Sequence, residues 1–110
     1  MLERGREGGT YEDFIAKAII VLIYAEWEEV SRPAIAAELG AKPDEVKCVL
    51  MGDLRRIRNC IIHNRSSLTE EAVRVKELGW DFSVSRLTVT KEMLAVLIDQ
   101  INSMYVRIEH

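Results

Sequence analysis

The chain has 110 residues, of which 48% are apolar and 30% charged, with two cysteines and a net charge of -3. This length suits one domain around a single core. The balance excludes a disordered chain and a protein that grips nucleic acid with its whole surface.

Met1 to Thr10 is charged and glycine-rich, unlike a secretory leader. Residues 1–9 read as a flexible lead-in, and residues 10–110 as a single helical domain. Thr10 and Asp13 form a weak capping box for a helix from about Tyr11 to Val30. Phe14, Ile15, Ala18, Ile19, Leu22 and Ile23 give it an apolar stripe that Ile20, Val21 and Tyr24 widen, so burial on more than one side is expected. Its apolar run, Ala18–Tyr24, is too short to span a bilayer, and no membrane contact is expected. Glu26, Glu28 and Glu29 make its end acidic, against the helix dipole. They read as a solvated face or as partners for basic residues of a neighbour.

Pro33 interrupts or restarts the helix, and Ala34–Leu39 completes a short helix closed by Gly40. Pro43, with Asp44 and Glu45 in the first turn, opens a second long helix to about Ile62. On it Val46, Leu50, Leu54, Ile57 and Ile61 fall within about 80°. Gly52 weakens this helix but lets another backbone come close. Ser67 with Glu70 suggests a short helix ending at Gly79. Trp80–Val89 alternates as extended chain. Thr90 then begins a last helix whose apolar face carries Met93, Leu94, Leu97, Ile98, Ile101, Met104 and Tyr105.

Cys48 and Cys60 both fall in the second long helix, about 18 Å apart at helical rise, too far to bridge. Reduced thiols, and hence a cytoplasmic location, are the simplest reading. The cysteines and two histidines lack zinc-ligand spacing, and no glycine-rich phosphate loop has the right context, so neither a metal nor a cofactor is expected.

Charge is uneven. Residues 1–40 hold four bases and eight acids, residues 41–65 six and three, and residues 66–110 five and seven. The one net-positive third contains DLRRIRNCIIHNR, Asp53 to Arg65, with four arginines, two asparagines and one histidine. Within it Arg58–His63 has the form R-N-x-x-x-H on a helix followed by a loop. Histidine can take a proton near neutrality, and arginine offers a fixed fork of donors to phosphate. Together they suit attack of an RNA 2′-hydroxyl on the adjacent phosphate.

This motif resembles the signature of the HEPN superfamily, small all-helical proteins many of which are metal-independent ribonucleases. The resemblance covers residues 44–105 in organisation and Asp53–Arg65 in specific residues. It implies an all-α, antiparallel helical bundle with a short extended excursion before the last helix. It also implies a homodimer with both motifs lining one cleft, and a stress, toxin or phage-defence role in which an antitoxin protein is a possible partner. Carried over by position, Arg58, Asn59 and His63 are catalytic, while Arg55, Arg56, Asn64 and Arg65 hold RNA. On a straight helix Arg58 and His63 diverge by about 140°, whereas Arg56, Asn59 and His63 share a face. Either the helix loosens, or two subunits complete the site, or Arg56 is the catalytic cation.

Two other readings compete. A HEPN-like dimer without catalysis would bind RNA, a nucleotide or a protein. A helix-turn-helix regulator would use Ile35–Gly40 and Pro43–Leu50, but Asp44 and Glu45 would then meet DNA phosphates.

Overall fold

The computed structural model describes residues 10–63, 74–80 and 86–109. The lead-in, the segment containing Ser67 and Glu70, and part of the extended stretch after Trp80 lie outside these residues. The described chain is mainly helical. In order it forms α1 (Thr10–Glu26), a π-helical turn (Trp27–Ser31), α2 (Arg32–Leu39), a 3-10 turn (Pro43–Glu45) and β1 (Val46–Lys47). Then come α3 (Val49–His63), α4 (Lys91–Asn102) and β2 (Arg107–Ile108). No helix among the described residues is long and apolar enough to cross a membrane.

The expected apolar stripe of α1 is not the face that meets the core: none of its six residues is buried, and Ile19 and Ile23 are only half-buried. Ala16, Ile20 and Tyr24 are buried, while Tyr11, Phe14, Ile15 and Leu22 stay exposed. The acids of its first turn reach across the fold. Asp13 accepts the Val89 N–H at 2.7 Å and Glu12 accepts the Lys91 N–H at 2.8 Å. Lys17, one turn on, is buried, paired with Asp13 at 2.9 Å, and donates to the Leu87 carbonyl at 2.8 Å. These bonds satisfy backbone groups of an extended segment. They fix its register so that Leu87 and Val89 enter the core.

Pro33 neither kinks nor ends the helix in isolation. It lacks the N–H that Glu29 would accept, and the chain widens into the π turn just before it, with the Arg32 N–H returning to the Trp27 carbonyl. Gly40 ends α2 at φ 68°, a conformation glycine adopts without penalty, and the Ala41 N–H closes on Ala36 at 2.8 Å.

The second long helix is shorter than expected. Pro43–Glu45 is a 3-10 turn, and Val46 lies in a strand paired antiparallel with Ile108, with Lys47 opposite Arg107. Helical spacing across Pro43–Leu50 competes here with a partner from the far end of the chain, and fully buried Val46 joins the core from the strand. Arg32 reinforces this by donating to the Val46 carbonyl at 3.0 Å. Cys48 therefore precedes α3 and does not share a helix with Cys60; both are buried and outside any disulfide. Without a helix from Pro43 to Leu50, the helix-turn-helix arrangement is not formed.

From Val49 onward the predicted stripe holds. Leu50, Leu54 and Ile57 are buried and Ile61 packs beside them, each buried side chain contributing about 1.5–3 kcal/mol. α1 packs on both α3 and α4. α4 begins at the expected cap, with the Thr90 hydroxyl accepting the Met93 N–H at 3.1 Å. It ends at Asn102, so Met104 and Tyr105 are beyond it and Tyr105 is 85% exposed. The chain turns there, through Ser103, to deliver β2.

Residues 74–80 are not α-helical, contrary to the expected helix ending at Gly79. The reason is Asp53. Its carboxylate is completely buried and gathers the backbone N–H groups of Lys76, Glu77 and Leu78 at 2.9, 2.6 and 3.2 Å. Three successive donors aimed at one carboxylate replace the carbonyl bonds a helix would make.

Candidate functional site

α3 remains α-helical through His63, so no loosening brings the motif residues onto one face. Arg58 is half-buried. One guanidinium nitrogen donates to the Asn59 side-chain oxygen at 3.1 Å, and the guanidinium carbon lies 5.0 Å from the centre of the Tyr24 ring. Those contacts hold the guanidinium plane in one orientation. Asn59 is half-buried beside it, and His63 is exposed at the end of the helix. Five helical residues advance about 7.5 Å and turn about 140°, which points Arg58 and His63 in different directions.

Arg56 has a different environment. One of its terminal nitrogens is 3.8 Å from Asp53, and its Nε is buried without a hydrogen-bond partner among the described residues. Arg55 is exposed one position earlier. Both border a cleft of about 480 Å³ together with Arg32, Lys47, Lys76 and Arg107; Arg58 and His63 do not border it. The structure thus separates the arginines of the motif into two groups. Asn64 and Arg65 lie outside the described residues.

Tyr24 and Trp27 are nearly closed to solvent beneath the cleft. Burial pushes the Tyr24 phenol above its ordinary range and Glu28 adds to this, while Arg55, Arg58 and Arg32 pull the other way. Burial also pushes the Cys60 thiol up, against the opposing charges of Lys17 and Arg86. A closed thiol held in its neutral form is a packing group and not a nucleophile. Gly52 was expected to admit another backbone. A side chain built there would instead meet nothing within 4 Å among the described residues, because the position opens onto the cleft.

Comparison of the chain with family models, with curated proteins and with solved structures gives no match.

Sequence spacing located Arg58, Asn59 and His63 on one helix but missed Asp53, Arg32 and Tyr24. A signal for Asp53 was present. At 100° per residue it falls about 40° beyond Ile57 and next to Cys60, at the edge of the face that must be buried. An acid there demands internal donors.

Proposed function

We propose that this protein is a metal-independent endoribonuclease of HEPN type, with its site completed across a two-fold dimer. The observation that carries this reading is the pairing of a fixed cation with an available base on one helix. Arg58 is held by Asn59 and the Tyr24 ring, and His63 stands exposed at the helix end. In the reaction His63 takes the 2′-hydroxyl proton as the 2′-oxygen bonds to phosphorus. The bond from phosphorus to the 5′-oxygen breaks, and that oxygen takes a proton from water. Arg58 steadies the charge on the phosphoryl oxygens. Arg55 and Arg56, with Asn64 and Arg65, hold the RNA strand.

The divergence of Arg58 from His63 along a straight helix supports a second copy as the source of the missing group. α1 offers a face for it. Phe14, Ile15 and Leu22 lie within about 100° of arc and are exposed, opposite the buried Ile20 side. Ile62, also exposed, adjoins His63. Light scattering at micromolar concentration should give twice the chain mass, and Leu22→Arg should give a single chain mass. A parent that is monomeric at every concentration would remove the composite site.

Cleavage itself is the test of the reaction. Single-stranded RNA should be cut in excess chelator, leaving a 2′,3′-cyclic phosphate and a 5′-hydroxyl, while DNA of the same sequence stays intact. Activity lost with chelator and restored by magnesium would contradict the mechanism. The second reading, a HEPN-like binding module without catalysis, is favoured by the basic cleft that lies apart from His63. RNA bound but never cut by the parent would establish it. A stress, toxin or phage-defence setting, with an antitoxin as partner, belongs to the same proposal.

A further inference from the structure

Six basic side chains and one acid, Glu28, border the 480 Å³ cleft, the bases being Arg32, Lys47, Arg55, Arg56, Lys76 and Arg107. They come from α2, β1, α3, the segment after it and β2, so only the fold brings them together. The chain as a whole is net negative. Three carboxylates reach three of the six. Glu28 pairs with Arg32 at 2.9 Å, Asp53 lies 3.8 Å from Arg56, and Glu109 pairs with Arg107. Lys47, Arg55 and Lys76 make no ion pair among the described residues. Gathering these charges around one opening is unfavourable unless an anion occupies it.

The remaining walls point the same way. The first turn of α3, Val49–Gly52, forms one side, and the positive end of its peptide dipole adds to the field. Cys48, the residue before it, has no side-chain oxygen to cap the turn. Gly52 leaves the helix backbone open to the cleft with no side chain in the way. Arg56, whose Nε has no hydrogen-bond partner among the described residues, borders the same space.

We infer that this cleft binds a compact ligand carrying two or more phosphate groups, recognised through the phosphates themselves. Its volume is that of a small-molecule site. A single-stranded nucleic acid would use exposed aromatic faces for stacking. The aromatics here are Trp27 and Tyr24, both closed to solvent, and the Tyr24 ring already receives Arg58. The cations surround one opening instead of following a strand. The inference does not rest on the catalytic pair: neither Arg58 nor His63 borders the cleft, although Arg55 and Arg56, assigned above to holding RNA, do.

The test is calorimetric titration of the full chain with orthophosphate, pyrophosphate, tripolyphosphate and ATP at 0.1 M salt. Affinity should rise with phosphate number, tripolyphosphate binding at least about tenfold more tightly than orthophosphate. ATP binding as tightly as tripolyphosphate marks a site that ignores the nucleoside; tighter binding of ATP marks a nucleotide as the natural source. Either result supports the assignment. Gly52→Glu places an acid in the open position and should weaken tripolyphosphate at least about tenfold, while replacement of glycine within a helix keeps the melting temperature at or above the parent's. Lys47→Gln should weaken it with the fold unchanged, and Gly52→Ala should retain binding. No binding of tripolyphosphate or ATP at millimolar concentration would overturn the inference. So would binding indifferent to Gly52→Glu, or competition by single-stranded RNA that is stronger per phosphate than tripolyphosphate. Cleavage of RNA with no polyphosphate binding would sink this inference alone, and the converse would sink the ribonuclease alone.

Discussion

Alanine at His63 should lower RNA cleavage by about two to four orders of magnitude, the usual contribution of a general base. Affinity for RNA should fall only slightly, since phosphate contacts by the arginines remain and are screened by salt in the same way. His63 is exposed at the end of α3, so the melting temperature should stay near the parent's. Arg58→Ala should behave differently. With the proposed role it should lose a phosphate contact and weaken both cleavage and binding. It also gives up the Tyr24 ring and the Asn59 bond, with a loss of about 1 kcal/mol of stability. Cleavage rates, affinity and thermal melting on the three proteins separate these roles. Full activity in His63→Ala would assign the base elsewhere.

The largest effect on stability should come from Asp53. Asp53→Ala deprives the Lys76, Glu77 and Leu78 N–H groups of their acceptor and leaves Arg56 without its carboxylate. Water can reach the exposed Lys76 and Glu77 more readily than Leu78, which is buried. The expected loss is about 3–5 kcal/mol, large beside the ~5–15 kcal/mol that holds a small domain together. Asp53→Asn keeps the volume and one acceptor oxygen but turns an amide N–H₂ toward donors, so about 2–3 kcal/mol should be lost. Urea unfolding measures both. Near-parent stability in Asp53→Ala would mean that residues 74–78 are held by something other than this carboxylate.

What could be read from the sequence was local. The glycine that ends α2, the inner face of α3 and the Thr90 cap of α4 depend on residues within a few positions of each other. Each was found where its spacing put it. Val46 was misplaced because its strand partner, Ile108, lies at the far end of the chain, and a valine fits a helical stripe as well as a strand. The expected helix before Gly79 failed for a related reason: its backbone donors turn to a carboxylate 23 to 25 residues earlier. Lys17 is buried through its bond to the extended segment at Leu87, 70 positions away, which no local spacing shows. The candidate site divides along the same line. Arg58, Asn59 and His63 form a motif within six positions and were legible as such, whereas the basic cleft draws its cations from separated elements and has no motif.

The most direct test of a site shared between two copies is complementation. Arg58→Ala and His63→Ala are each purified, shown to be inactive, mixed in equal amounts, dissociated and reassociated. In half of the resulting dimers one site pairs an intact Arg58 with an intact His63 from the other chain. RNA cleavage should then return to about a quarter of the parent's rate, since random pairing makes half the dimers mixed and one of two sites in each complete. A mixture that exchanges subunits but stays as inactive as its components would contradict the composite site.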